Sequence, residues 1–290
     1  MRNFDYVKTK TLKEAISLLV KYSEKAQILA GGTDVLVKLK QRKITPDILI
    51  DIKGVPGLHG IEYNSETGMR IGALTLIREI ETSPIVWKHL PVLAHAAQVL
   101  GSVQIRNRAT LGGNLCNALP SADMAPYLIG MGAWVNVVGP GGERKLLVED
   151  LFAASEKNSL RSGEIVTAVE VPNWHPHTGG AYIKHAIKNA VDVAIVSVAS
   201  VITLDPVKGI FKEARIVLGA VGPKPIRAKK AEEYLRGKAI EQGVIAEAAM
   251  LASEEAKPRT KPEYKREMVR VLAIRAVGQG LEGLRGGQGR

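Results

Sequence analysis

The sequence predicts an α/β protein of about two domains, because of its length, the pattern of its first segment and one linker. The chain has 290 residues, and a domain commonly holds about 100–200. The first fifty or so residues alternate between strand and helix patterns, which is typical of a compact α/β unit. Residues 172–180 contain two prolines and two glycines. We therefore expect a linker there, with no regular secondary structure.

A first subdomain is expected over about residues 1–54. Its first helix begins in a capping box, in which the Thr11 hydroxyl accepts a hydrogen bond from the Glu14 amide and the Glu14 side chain reaches back. Two short apolar strands and a second helix are expected at 28–30, 48–52 and 33–40. Gly54-Val55-Pro56-Gly57 interrupts the pattern and marks the boundary of this subdomain.

A second subdomain is expected over residues 55–175, so that the two subdomains form one domain over 1–175. Apolar runs predict strands at 61–63, 69–73, 134–138 and 165–171. Helical spacing predicts helices at 76–81, 92–100 and 124–131.

A C-terminal domain is expected over residues 178–284, with a small antiparallel sheet followed by helices. Strands are predicted at 193–204 and 214–220, and helices at 228–236, 244–255 and 263–284. Residues 285–290 are rich in glycine and are expected to form a frayed tail.

Composition favours a soluble protein that does not bind nucleic acid. The net charge is +11, but aromatic residues make up only 4% of the chain and the basic residues are scattered. A nucleic-acid footprint usually combines a basic stripe with aromatic residues for stacking, so acidic partner subunits explain the charge better. The N-terminal residues lack the apolar region of a secretory signal, and no apolar run reaches the roughly 18 residues of a membrane span. We therefore expect a cytoplasmic location.

The single cysteine, Cys116, excludes an intramolecular disulfide and an all-cysteine metal site within this chain. We expect it to act as a small apolar residue. Gly130-Met131-Gly132 lacks the third glycine of a dinucleotide fingerprint and precedes a strand. P-loop, zinc-protease and serine-hydrolase motifs are also missing. No catalytic or metal-ligating residue is predicted.

Two glycine pairs are the strongest functional signal. They lie in Ala30-Gly31-Gly32-Thr33-Asp34 and Thr110-Leu111-Gly112-Gly113-Asn114. A glycine pair between a strand and a helix lets a ligand approach the backbone, whose N–H groups favour an anion such as a phosphate. Taken alone, each loop is equally compatible with a tight turn that binds nothing.

Together the loops resemble those of the FAD-binding medium subunits of the molybdenum hydroxylases, the family of xanthine dehydrogenase and carbon monoxide dehydrogenase. The first loop resembles the family's first pyrophosphate loop, and residues 104–114 resemble its second over eleven positions. Pro120-Ser121-Ala122-Asp123 and Lys184-His185, with Ala190-Val191-Asp192, resemble segments beside the flavin nucleotide and its isoalloxazine ring. The resemblance spans nearly the whole chain, from Phe4 to about Gly280.

The resemblance implies an FAD-binding domain of two subdomains, followed by the C-terminal domain. It implies that FAD is bound non-covalently between the two loops, whose backbone amides act as donors. The implied cofactor-binding residues are Ile28, Leu29, Ala30, Gly31, Gly32, Thr33, Asp34, Val35, Leu100, Thr110, Gly112, Gly113, Asn114, Asp123, Val166, Tyr182 and Lys184.

Several of these residues also have a plain structural explanation. Asp34 could stabilise a helix N-terminus, and Asp123 could cap the helix after it. Leu100 and Val166, the expected apolar walls, could be core residues. Lys184, expected to place a cation near the flavin, could be an exposed lysine. Its neighbour Tyr182 is expected to cover the ring.

The resemblance also implies the assembly. The chain is expected to be the flavoprotein of an oxidoreductase heterotrimer, paired as a dimer of heterotrimers. A large subunit would carry the molybdenum cofactor and a small subunit two [2Fe–2S] clusters, and FAD would pass electrons to NAD or another acceptor. The alternatives are a stand-alone NAD(P)H-dependent flavin reductase and a non-catalytic subunit that has lost FAD. Relatives often carry arginines where Ile187 and Lys188 stand, which puts an arginine's role there in doubt.

Overall fold

The computed structural model describes residues 3–188 and 190–286, and within them the chain is a mixed α/β protein with three main sheets. The strands are β1 (Asp5–Lys8), β2 (Ala26–Leu29), β3 (Ile48–Asp51), β4 (Ile61–Asn64), β5 (Gly68–Gly72), β6 (Trp134–Gly139), β7 (Gly142–Leu147), β8 (Phe152–Ala154), β9 (Lys157–Asn158), β10 (Ile165–Val171), β11 (Thr178–His185), β12 (Val196–Asp205), β13 (Ile210–Gly219) and β14 (Ile226–Arg227). The helices are α1 (Leu12–Tyr22), α2 (Val35–Lys40), α3 (Ile77–Thr82), α4 (Pro84–His89), α5 (Pro91–Gln98), α6 (Val103–Arg106), α7 (Leu111–Cys116), α8 (Ala125–Gly130), α9 (Val148–Leu151), α10 (Lys229–Leu235), α11 (Gln242–Glu255) and α12 (Pro262–Gly286).

The first sheet is parallel, with strand order β1-β3-β2. Its middle strand, β3, is buried at all four positions, which is the expected burial of a parallel strand covered on both faces. Half of the predicted capping box is present, because the Thr11 hydroxyl accepts from the Glu14 amide at 3.2 Å. The Glu14 carboxylate reaches back to the Lys10 amide, at 2.9 Å, and not to that of Thr11. The sheet therefore brings the end of β2, and the first glycine pair after it, to one edge of the unit.

The second sheet is antiparallel, with strand order β4-β5-β10-β6-β7. Helices α3 to α9 accompany it, and a large apolar core joins them to the sheet. A separate antiparallel hairpin, β8–β9, lies between α9 and β10. The second glycine pair belongs to this part of the molecule, since it lies in the first turn of α7.

The third sheet is antiparallel, with strand order β11-β12-β13-β14, and it packs against α10, α11 and α12 around its own apolar core. This is the small antiparallel sheet with helices that the sequence predicts. The division at residues 54, 175 and 178 stays a prediction.

The expectation of a structureless segment over 172–180 is wrong at its end, because β11 begins at Thr178. The two glycines are part of the strand. A Cβ on Gly179 would lie 2.1 Å from the carbonyl oxygen of Gly280 in α12. Glycine at this position therefore serves the close approach of a helix to a strand, which is its other common use in sheets.

The end of the chain also differs from expectation. Helix α12 continues to Gly286, so residues 285 and 286 are helical, while 287–290 of the predicted tail lie outside the described residues. Within the described part of the chain, no helix is long and apolar enough to cross a membrane.

Candidate cofactor-binding site

The two glycine loops are in backbone contact. A Cβ on Gly31 would lie 2.1 Å from the carbonyl oxygen of Arg108 and 3.0 Å from the Cα of Ala109, two residues that lead into the second loop. No real side chain tolerates 2.1 Å, so only glycine fits. The sequence predicts that the two loops face each other, and the structure brings them together at this point.

The first loop presents unpaired backbone donors. Gly32 has a φ of +83°, which reverses the chain direction after β2. Across residues 3–188 and 190–286, the amides of Gly31, Gly32 and Thr33 find no protein acceptor, and all three residues are half-buried. Consecutive N–H groups in a concave turn form a site for an anion. This loop therefore fits a phosphate group of a cofactor.

The second loop differs from the expectation that its amides bind the cofactor. The amides of Leu111 and Gly112 donate to Thr75 and Ala73, at 3.0 and 2.8 Å. The amides of Gly113 and Asn114 donate to the hydroxyl and the carbonyl of Thr110, at 3.1 and 2.9 Å. The Thr110 hydroxyl is thus the N-cap of α7. The amides of Leu111 to Asn114 are thus already satisfied by the protein.

What the second loop leaves available is the Asn114 side chain. Its Oδ1 atom is buried and has no hydrogen-bond partner among the described residues. A buried acceptor without a donor is costly, and a hydroxyl of a bound cofactor would satisfy it. The two loops therefore offer complementary groups, donors from the first and an acceptor from the second.

A buried ion pair joins β11 to the segment before α8. The Lys184 ammonium donates to Asp123 Oδ2 at 2.9 Å, and the Tyr182 hydroxyl donates to Asp123 Oδ1 at 2.8 Å. The Lys184 and Asp123 side chains are only 7% and 8% exposed. Lys184 is therefore not an exposed lysine. Asp123 does not cap the following helix, since α8 has Met124 as its N-cap residue and no side-chain cap.

Burial sets the protonation of this cluster. Burial raises the pKa of the Asp123 carboxyl above its ordinary value, and the Lys184 ammonium counteracts part of that effect. Burial, together with the nearby Asp123 carboxylate, also raises the pKa of Tyr182 well above its ordinary value. Tyr182 thus stays a proton donor to Asp123. Its side chain is only 2% exposed and holds Asp123 in place, and its role in covering the flavin ring stays a prediction.

The cluster is also tied to the end of α5. Lys184 donates a second hydrogen bond to the Val99 carbonyl at 3.1 Å, next to Leu100. Leu100 and Val166 are 7% and 4% exposed and both belong to the large core. The structure thus gives them the packing of core residues, and their role as cofactor walls stays a prediction.

The remaining predicted residues lie around the first loop. Asp34 is exposed, and its only side-chain contact in the described chain is a long one, 3.5 Å, from the Thr33 hydroxyl. It makes no capping hydrogen bond to α2, so its carboxylate remains free to accept. The four apolar residues pack against two small cores beside the first sheet: Ile28, Leu29, Ala30 and Val35.

The connection from β11 to β12 lies against the same region. The Val191 amide donates to the Gly101 carbonyl at 3.0 Å. The Asp192 carboxylate accepts from the amides of Ile187, Lys188 and Val193, at 2.8 to 2.9 Å. The aliphatic side chains of Ile187, Val191 and Val193 are 82%, 68% and 64% exposed. Three exposed aliphatic side chains therefore flank the Lys184 end of the site.

A second buried ion pair, which the sequence did not reveal, supports the approach to the second loop. Arg106 donates to both carboxylate oxygens of Glu81, at 2.6 and 3.2 Å, and to the Leu100 carbonyl at 3.0 Å. Burial alone would raise the pKa of Glu81, but Arg106 and Arg78 hold it below its ordinary value. The pair fixes α6 and the residues that lead to Thr110.

Replacing Glu81 by glutamine should lower the free energy of unfolding by about 2 kcal/mol at pH 7, because a hydrogen-bonded carboxylate is lost beside a buried guanidinium. Since the pKa of Glu81 is depressed in the folded state, its contribution is present above the unfolded value of about 4.3 and disappears as the pH falls through the folded value. Urea unfolding at pH 7 and pH 3.5 should show the deficit shrinking in acid. The exposed Glu62→Gln variant on β4 is the control. A deficit equal at both pH values would contradict the assignment.

Burial raises the pKa of the Cys116 thiol to about 12, so this residue stays a thiol at neutral pH. That agrees with its predicted role as a small apolar residue.

Comparison with known proteins finds similarity over nearly the whole chain. The family described as FAD binding domain in molybdopterin dehydrogenase matches residues 2–174, and that described as CO dehydrogenase flavoprotein C-terminal domain matches residues 181–279. The chain is 33% identical to the 6-hydroxypseudooxynicotine dehydrogenase complex subunit alpha of Paenarthrobacter nicotinovorans, over 96% of this chain and 95% of that protein. It is 31% identical to the putative xanthine dehydrogenase FAD-binding subunit of Escherichia coli K12, over 94% of each. Among solved structures, carbon monoxide dehydrogenase from Hydrogenophaga pseudoflava superposes with a TM-score of 0.93 at 33% identity, covering 97% of this chain and 98% of the other.

Proposed function

The chain belongs to the FAD-binding medium subunits of the xanthine dehydrogenase and carbon monoxide dehydrogenase family, and we propose that it carries electrons from the iron–sulfur clusters of a partner subunit, through FAD, to NAD or another acceptor. The observation that carries this proposal is the contact of the first glycine loop, whose amides have no acceptor in the described chain, with the residues that lead into the second.

The first loop binds the FAD pyrophosphate. The negative charge of the pyrophosphate is matched by the amides of Gly31, Gly32 and Thr33, which have no protein acceptor in the described chain. Asn114 accepts from a cofactor hydroxyl on the opposite side, since its Oδ1 is buried and unpaired there. Asp34 accepts from a second hydroxyl at the start of α2.

Lys184 sits at the flavin ring. FAD supplies exchange of one or two electrons, so it suits a junction between single-electron clusters and a two-electron acceptor. Negative charge grows on the ring as it is reduced, and a fixed cation stabilises such charge best when it is shielded from water. Asp123, itself held by Tyr182, orients that cation in a buried position.

Substrate oxidation belongs to a partner. The relatives and the solved structure above are named for 6-hydroxypseudooxynicotine, xanthine and carbon monoxide, yet this chain is 31–33% identical to each. Nearly equal sequence identity to proteins from complexes with different substrates is expected of a subunit that transfers electrons and does not bind the substrate. We propose a large subunit with the molybdenum cofactor and a small subunit with two [2Fe–2S] clusters, assembled as a dimer of heterotrimers.

The test uses the purified complex with and without FAD. Its clusters are reduced with dithionite, the excess is removed, and reoxidation by NAD⁺ or a quinone is followed by the cluster absorbance. We expect FAD removal to slow reoxidation at least about 100-fold and added FAD to restore it. Equal rates with and without FAD would exclude the proposed route. Oxidation of NADH by the isolated chain with FAD would support the stand-alone reductase instead.

A further inference from the structure

The helices that follow the two glycine loops are fastened to each other at their far ends. Lys38 lies in the last turn of α2, and its ammonium donates to Asn117 Oδ1 at 2.8 Å, directly after α7. The same ammonium lies 2.9 Å from Glu156 Oε2. Gly31 and Arg108 meet before the two helices begin. One contact thus lies at the near end of α2 and α7, and the other at the far end.

The carboxylate that meets Lys38 is held in place. Glu156 lies at the tip of the β8–β9 hairpin with a φ of +58°, which L residues rarely adopt. Its amide donates to the Ala118 carbonyl at 3.0 Å, and Asn158 donates to the Cys116 carbonyl at 2.8 Å. Both acceptors lie at or just after the end of α7, so the hairpin is fixed to α7. Lys38 contacts both, through Glu156 and Asn117.

We propose that Lys38, Asn117 and Glu156 form a latch that holds α2, and with it the first glycine loop, against the second loop, and so sets the rate at which FAD leaves. The three residues lie beyond the ends of the loops, and none of them is among the predicted cofactor ligands. This inference rests on FAD binding between the loops and is independent of the proposed electron route.

The electrostatics support a latch that can open. The Lys38 and Glu156 side chains are 24% and 52% exposed, so water and salt reach the pair and its strength is modest. The hydrogen bond from Lys38 is the main cause that lowers the pKa of Glu156, and the charges of Lys38 and Lys43 add to it. A partly exposed pair of this kind contributes little to folding, yet it joins the end of α2 to the end of α7 and to the β8–β9 hairpin.

The experiment measures FAD release from the protein purified with its cofactor and any partner subunits. Released FAD is captured by excess apo-D-amino-acid oxidase and read as oxidase activity. We expect Lys38→Met to speed release about tenfold, and Glu156→Gln several-fold, because each removes the ion pair. In the wild type, raising the salt from 0.05 to 0.5 M should speed release, and in Lys38→Met it should not.

Lys40→Met is the matched control, since Lys40 is an exposed lysine on the same helix with no ion pair or side-chain hydrogen bond in the described chain. It should release FAD within about twofold of the wild type. Thermal unfolding of the cofactor-free proteins checks that each variant folds. If Lys38→Met does not fold, Glu156→Gln carries the test, because it keeps the size and hydrogen-bonding capacity of the side chain. Release rates equal to that of Lys40→Met would overturn the latch. A wild-type protein that retains no FAD would instead overturn the cofactor assignment itself.

Discussion

Alanine at position 31 is expected to lower the affinity for FAD at least about 100-fold, which corresponds to roughly 2.7 kcal/mol. The new methyl group would lie 2.1 Å from the Arg108 carbonyl oxygen and 2.9 Å from its carbon. These are backbone atoms that cannot rotate away, so the loops must separate by about 1 Å to restore ordinary contact. The unpaired amides of the first loop move with it, away from the groups of the second. Fluorescence titration of the cofactor-free protein with FAD measures the loss.

Gly141→Ala is the control for this substitution, because a Cβ there meets nothing within 4 Å. It should leave the affinity for FAD unchanged. If Gly31→Ala bound FAD as tightly as Gly141→Ala, the close contact of the loops would have no part in binding.

Replacing Lys184 by methionine should lower the free energy of unfolding of the cofactor-free protein by about 3–5 kcal/mol at pH 8, because it leaves the buried Asp123 carboxylate without its counter-charge. Burial already raises the pKa of Asp123, and without the ammonium this pKa should rise further. A carboxyl with a raised folded pKa contributes stability below its unfolded value and loses it as the pH rises through the folded value. The deficit should therefore be smaller at pH 5 than at pH 8, as measured by urea unfolding.

The double variant Lys184→Met/Asp123→Asn should recover part of the loss, because it removes the stranded charge as well. Lys188→Met, an exposed lysine four residues along, should stay within about 0.5 kcal/mol of the wild type. A pH-independent deficit, or one no larger than that of Lys188→Met, would contradict a buried ion pair at this position.

The sequence predicts the elements with strong periodic patterns. Strand β3 is a continuous apolar run, and α1 begins in the sequence pattern of a capping box, so both are visible without the fold. The glycine pairs also carry their own signal: the first lies between strand β2 and helix α2, and the second lies in the first turn of α7. Together they indicate the family and the approximate position of the cofactor.

The strands and ion pairs that the sequence does not predict depend on tertiary contacts. Strand β11 looks like a linker because its two glycines serve the approach of α12, which the local sequence does not show. Strand β1 is mostly exposed along its length, so it has no apolar pattern to find. The ion pairs of Lys184 with Asp123 and of Arg106 with Glu81 join residues 61 and 25 positions apart. Charge alone does not tell such buried pairs from exposed ones.

The use of the amides is likewise set by the fold. Gly31-Gly32 and Gly112-Gly113 look equivalent in the sequence, and both predict backbone donors. In the structure the second pair is satisfied by Ala73 and Thr110, because an isolated bridge between Leu76 and Thr110 brings that loop beside residues 73–75. Only the first pair keeps its donors for a ligand.

Residue-resolved amide hydrogen exchange with and without FAD tests the central claim most directly. Amides that gain an acceptor exchange more slowly. We expect FAD to protect Gly31, Gly32 and Thr33, whose amides have no acceptor in the described chain, and to change Gly112, Gly113 and Asn114 little, because these are already bonded. Protection confined to the second loop, or no change at residues 31–33, would show that the first glycine loop does not bind the cofactor.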